Sequence, residues 1–203
     1  MEDRGLLYKQ ESSTASRHQR EGIKNMDNQV KNLTSSGQTT KNELLVVLRE
    51  NARKVGLPDI IRSSLHLHRD AEYVQASYRQ EYIKAYTNGF LTRIREVKDD
   101  KQHYPGQVNV EELITAIELL EEQERMVQDL EDTEPAFFHI YKIISLYTTF
   151  IKEEPIHQVG TPFPGGFKVK KDKDRYTCPV KDNNDNNRLA VCPFCIAEQD
   201  DDV

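Results

Sequence analysis

Apolar residues along this chain recur mostly at helical spacing, thinly at the start, densely in the middle and irregularly near the end. Residues 1–39 are rich in Ser, Gln, Asn and Lys, and Ile23, Met26, Val30 and Leu33 make one narrow stripe. That pattern predicts a frayed polar tail with a marginal helix. A helical body is expected over 40–155. Thr40 and Glu43 have capping-box spacing, Leu44, Leu45, Val47, Leu48 and Val55 supply an inward face, and Gly56 and Pro58 end the helix. Ile60, Ile61, Leu65 and Leu67 suggest a short second helix or the opening of a longer one. From Asp70 to about Lys98 a longer one carries Val74, Tyr78, Tyr82, Tyr86, Phe90 and Ile94 at every fourth position. A four-residue repeat drifts around a 3.6-residue helix, so these rings reach several neighbours; a tyrosine ladder of this kind reads as packing before it reads as a binding platform. Asp99 to Gly106 is a loop. Asn109 and Glu112 repeat the cap, and Val110, Leu113, Ile117, Leu120, Val127 and Leu130 form the next stripe, with Glu118, Glu121, Glu122 and Glu124 on a solvated face. Pro135 opens the greasiest helix, apolar nearly all round from Phe137 to Ile151 and therefore central; Pro155 ends it. The fold class expected is all-α, a bundle of about five helices with a small C-terminal cysteine-rich loop or hairpin module.

Candidate chemistry concentrates in that module, residues 156–199, ahead of an acidic tail at 200–203. Cys192 and Cys195 are two residues apart, the knuckle spacing that turns two thiolates toward one ion. Cys178 offers a third soft ligand, and His157, delivered by Pro155, closes a tetrahedral Cys3His set. Zinc is the first metal for such a set, with an iron–sulfur cluster as the alternative, although clusters prefer four cysteines and the chain has three. A thioredoxin-like pair wants a strand before it and a helix after it, and neither is expected here. Three reduced, buried thiols are the plainer reading. His66 and His68, two apart on a helix, point to different sides and are read as surface residues. The Gly160–Gly166 loop lacks both the Lys-Ser/Thr ending of a phosphate loop and the dinucleotide glycine spacing; it reads as an anchor, with Phe163 plugged into the body.

The run Gly160 to Gly166, Cys178-Pro179-Val180-Lys181 and the closing Cys192-Pro193-Phe194-Cys195 resemble the C-terminal signature of an uncharacterised archaeal protein family found mainly in methanogens. The resemblance is specific over about the last fifty residues and general over the rest. It implies a cytoplasmic archaeal protein, supports the three cysteines and the Gly-Pro loop as family features, and carries no reaction with it.

Length and charge narrow the picture further. A chain of 203 residues suits one domain with an appendage, and no apolar run approaches the roughly 20 residues that span a bilayer. Met1-Glu2-Asp3-Arg4 is unlike a signal peptide and three is an odd number of cysteines, so a reducing, cytoplasmic setting is expected. The net charge of −6 gives no general attraction to nucleic acid. One basic segment, Lys168, Lys170, Lys171, Lys173 and Arg175, alternates with Phe167, Val169 and Tyr176 as a hairpin strand would, and makes a ribbon-like nucleic-acid contact the rival to a protein partner. An enzyme would need an open metal position and a base, for which Glu153 and Glu154 are candidates. The expectation is thus a metal-stabilised protein that binds a macromolecule, leaning away from catalysis.

Overall fold

A computed structural model of the chain describes residues 21–127 and 134–203. Seven α-helices stand among the described residues: α1 (21–34), α2 (Lys41–Lys54), α3 (Leu57–Asp70), α4 (Ala76–Asp99), α5 (Val110–Val127), α6 (Pro135–Tyr147) and the single turn α7 (Lys181–Asn184). Three short strands complete the fold, β1 (Lys170–Asp172), β2 (Arg175–Cys178) and β3 (Glu198–Gln199). A purely all-α bundle of about five helices is therefore corrected to a mostly helical fold with a small sheet. The alternation of basic and apolar residues after Phe167 is read out as an antiparallel β1–β2 hairpin, and the chain end returns to lie parallel to β2, with Cys178 opposite Gln199.

Capping decides where the helices begin. Thr40 Oγ1 accepts from the Glu43 backbone N–H (3.2 Å) while the Glu43 carboxylate accepts from the Thr40 N–H (2.8 Å), closing the box before α2. Before α5 the Asn109 Oδ1 accepts from the Glu112 backbone N–H (3.3 Å), while the Asn109 side-chain amide donates to the Glu112 carboxylate (2.7 Å). Gly56 separates α2 from α3, and its N–H is taken by Asp59 at 2.8 Å. Glu134 caps α6, whose first residue is Pro135, where the missing N–H costs nothing.

Helix α6 is the central element, packed against α2, α3, α4 and α5. Ile140, Ile143, Leu146 and Tyr147 are buried, and the helix runs on through a π-turn, Thr148–Lys152, before Glu153 reverses the chain with φ 52°. The same core takes Leu44 and Leu48 from α2, Ile94 and Val97 from α4, and Leu113, Ile117 and Leu120 from α5. It also takes Met26 and Val30 from α1. Ile23, Met26 and Val30 of the stripe expected on a marginal helix are thus fully excluded from water, and Leu33 is half-buried; residues 1–20, and Leu130 of the α5 stripe, lie outside the described residues. Asp27 of α1 meets the buried ammonium of Lys142 on α6 at 2.8 Å, and Glu124 of α5 meets it at 2.8 Å. No described helix is long and apolar enough to cross a membrane.

Candidate functional site

Beyond α6 the chain folds back over the body and leaves a space beneath it. The Gly160–Gly166 loop closes on itself through Phe163 N–H to Phe167 O (2.8 Å) and Gly160 N–H to Val169 O (2.8 Å). Gly165 has φ 88°, and a Cβ there would lie 2.8 Å from the Phe167 ring, so glycine is required on both counts. The Tyr78 hydroxyl of α4 donates to Pro162 O, pinning the loop to the body. Phe163 is 8 % exposed, but it packs into the module's own small core with Val169, Cys178 and Ala197 rather than into that of the helical body, and its ring meets His157 edge-on at 5.7 Å.

Between this module and helices α3, α4, α5 and α6 lies a cleft of about 630 Å³, inside the range of roughly 300–1,000 Å³ typical of small-molecule sites. Its walls are largely aromatic. Tyr82 stacks on Tyr86 at 4.1 Å, Phe90 on Phe137 at 5.5 Å and Phe137 on Tyr141 at 5.6 Å. The tyrosine ladder of α4 therefore serves partly as packing and partly as a wall, because its every-fourth spacing carries it off the core face; Tyr78, Tyr82 and Tyr86 are all half-buried.

The buried guanidinium at the cleft is already matched. Arg93, 8 % exposed, is bound by Glu96 (2.8 Å) and by Glu154; burial opposes its charge, but those hydrogen bonds outweigh it and hold its pKa above the ordinary value. The Asp70 carboxylate faces His66 at 3.5 Å. Neutral groups remain. His157 sits between Tyr86 (5.2 Å) and Phe163, and burial lowers its pKa to about 4, so it is an uncharged imidazole with one donor and one acceptor at neutral pH. Burial also raises the tyrosine hydroxyls of residues 82, 86 and 141, which stay protonated. Sequence reasoning missed His66, Arg93, Gly89 and Gln158 as lining groups. His66 was expected on the surface, yet its ring packs on Phe137 at 4.6 Å; the one trace of this in the sequence is the Phe137–Phe138 pair at the start of α6.

The four expected metal ligands are distributed differently. Cys178 ends β2, Cys192 opens a 3-10 turn, and Cys195 follows it with its N–H on Val191 O (3.1 Å) and Cys192 O (3.2 Å). Lys181 donates to the carbonyls of Cys192 and Cys195 (3.1 Å to the latter) and braces the turn. The thiols are neighbours: burial first, then Cys195 and Cys178, push the Cys192 thiol up to about 11. Cys178 is likewise raised, chiefly by burial. Raised thiols at the end of a strand and in a 3-10 turn are the opposite of an activated redox pair. His157 is held by its aromatic neighbours, and among the described residues no group of three or more His, Cys, Asp or Glu side chains is arranged to hold a metal ion.

The remaining candidates are engaged elsewhere. Glu154 pairs with Arg93 and Glu153 with Lys41 (2.7 Å). In the basic segment Lys170 meets Asp200 (2.8 Å) and Asp202 (3.7 Å), Arg175 meets Glu198 and Asp201, Lys168 meets Glu81 (3.9 Å), and Lys171 donates to the Tyr176 hydroxyl (2.9 Å) while lying over its ring. Lys173 occupies the hairpin turn with φ 53°.

Comparison with known proteins places this architecture among archaeal chains. A UPF0305 protein of Methanothermobacter thermautotrophicus is 39 % identical over 164 residues, 81 % of this chain and 99 % of that one. UPF0305 proteins of Methanopyrus kandleri (30 % over 138 residues, 66 % and 94 %) and Methanocaldococcus jannaschii (27 % over 163 residues, 79 % and 97 %) are also similar. No solved structure matches. Residues 40–200 match the family described as an uncharacterized protein conserved in archaea (DUF2115), so the likeness runs through the helical body as well as the C-terminal module. The chain belongs to that family.

Proposed function

We propose that the protein binds a small, uncharged, largely apolar molecule in the cleft between α4, α6 and the C-terminal module. The observation that carries this reading is the cleft itself: about 630 Å³ walled by stacked aromatic rings, with the buried Arg93 already paired and neutral hydrogen-bonding groups left over. An apolar wall supplies affinity and a few polar groups orient the guest. An anionic guest would face the cost of burial with its natural partner, Arg93, already occupied. The test is a fluorescence titration with 2-naphthol and with 2-naphthoate. The neutral compound is expected to bind saturably at one site and the anion at least about tenfold more weakly, the equivalent of about 1.4 kcal/mol. Ala85→Phe, which fills the cleft from α4, is expected to abolish binding; unsaturable binding to the wild type overturns the reading.

A second reading rests on the closeness of the three thiols. Cys178, Cys192 and Cys195 would hold a soft ion, Zn2+ or an iron–sulfur cluster, once their side chains turn toward one point, and the ion would cross-link β2 to the chain end. His157 is not needed for this reading, being held between Tyr86 and Phe163. Elemental analysis and a visible spectrum of protein purified without oxygen test it: one metal per chain supports the reading, and a metal-free, folded protein ends it. A macromolecular partner, protein or nucleic acid, finds less support, since the basic hairpin is matched by the acidic residues around Asp200.

A further inference from the structure

We infer, resting on the reading of the cleft as a small-molecule site, that Gly89 and Gln158 together select a flat ring bearing an adjacent hydrogen-bond donor and acceptor, as at a lactam edge. Gly89 stands in the middle of α4, a helix of 24 residues. Glycine there costs about 0.8–1 kcal/mol relative to alanine. Nothing in the packing calls for it: an added Cβ would meet Gln158 Oε1 at 3.8 Å and Cδ at 3.9 Å, ordinary contacts, and the backbone is helical. What glycine does provide is a bare stretch of wall beside the Gln158 side chain, flanked by Tyr86 and Phe90.

Gln158 is half-buried and its side-chain amide makes no hydrogen bond among the described residues. The other amides at the cleft have donated already, Gln123 to Ala190 O (2.9 Å) and Asn184 to Val180 O (3.1 Å). A free amide presents a donor and an acceptor side by side, and its best complement is a second such pair in the same plane. A guest lacking that edge forfeits both bonds, and a site built around hydrogen bonds discriminates strongly against it. The bare wall at Gly89 lets the ring lie flat against α4 with its edge turned to Gln158.

The experiment titrates the full chain with quinolin-2(1H)-one, which has the lactam edge, and with naphthalene, which has the shape without it. Wild type is expected to prefer the quinolinone by about tenfold or more, and Gln158→Leu to erase that preference while leaving naphthalene within about threefold. Gly89→Leu is expected to weaken both compounds by about tenfold or more without lowering Tm; Gly89→Ala, a smaller change that favours the helix, is expected to raise Tm and weaken the quinolinone. Equal affinity for the two compounds in wild type, a preference that survives Gln158→Leu, or wild-type binding by Gly89→Leu overturns the inference and leaves the cleft reading standing. If neither compound binds the wild type saturably, the cleft reading falls and this inference with it.

Discussion

His139 is buried and His157 half-buried between aromatic rings, and burial lowers the pKa of each to about 4; for His139 the nearby Asp59 opposes the shift without reversing it. In the unfolded chain both return to about 6.5. Between those values the unfolded state binds more protons than the folded one, so stability is complete above about pH 6.5 and declines as pH falls toward 4, by roughly 2–3 kcal/mol for each histidine. Replacing His139 with Leu should flatten this decline: urea denaturation at pH 7 and at pH 4.5 should give more nearly equal stabilities than in wild type, and an unchanged difference contradicts the assignment. Gly165 makes the opposite case, a residue whose backbone is the constraint. Gly165→Ala forces a side chain into φ 88° and against the Phe167 ring, and should destabilise the module by about 1–3 kcal/mol, read as a lower Tm. The glycine was legible because a Gly-Gly pair after two prolines announces a turn. His66 was not: a histidine two residues from another looks like surface until the ring on the facing helix is known.

Helix α6 was legible as the centre because apolar residues nearly all round leave it no solvent face. Its one misleading residue is Lys142, 1 % exposed, which reads as a surface lysine and is instead the buried cation joining α1 and α5 to the core. Burial raises the pKa of Asp27, with Lys142 the principal opposing influence. Lys142→Met strands Asp27 and should cost about 3–5 kcal/mol; adding Asp27→Asn should recover part of it, because an unpaired buried charge is worse than none. Equal stability of the single and double variants, by chemical denaturation, contradicts this. The N-terminal helix looked marginal for the same reason, since its stripe is short and the carboxylate that anchors it has no sequence neighbour to suggest a partner. The caps at Thr40 and Asn109 were legible because both partners lie within one turn. Elements α7 and β3, four and two residues long, were not, since they exist through long-range bonds such as Asp182 N–H to Gln199 Oε1 (3.0 Å).

Across the whole molecule the separation of charge from chemistry is the main difference between sequence and structure. The basic segment and the acidic chain end are more than twenty residues apart, yet Asp200 reaches Lys170, and its N–H donates to Cys178 O (3.1 Å). The exposed pairs among these, such as Arg175 with Glu198, contribute little to stability, about 0–1 kcal/mol, but together the pairs cancel the field that a phosphate backbone would seek. The cysteines were legible as neighbours, close enough for Cys195 and Cys178 to raise the Cys192 thiol; the cleft was not, because it is made by residues from four helices and the returning chain, each unremarkable alone. The central claim is that this cleft is a receptor for a neutral guest. Its most direct test is an NMR titration with 2-naphthol that follows the aromatic resonances of Tyr86, Tyr141 and His157: saturable shifts at those rings, absent in Ala85→Phe, are predicted. Shifts confined to the exposed α3 residues Leu57, Ile61 and Leu65, or none that saturate, would contradict the account.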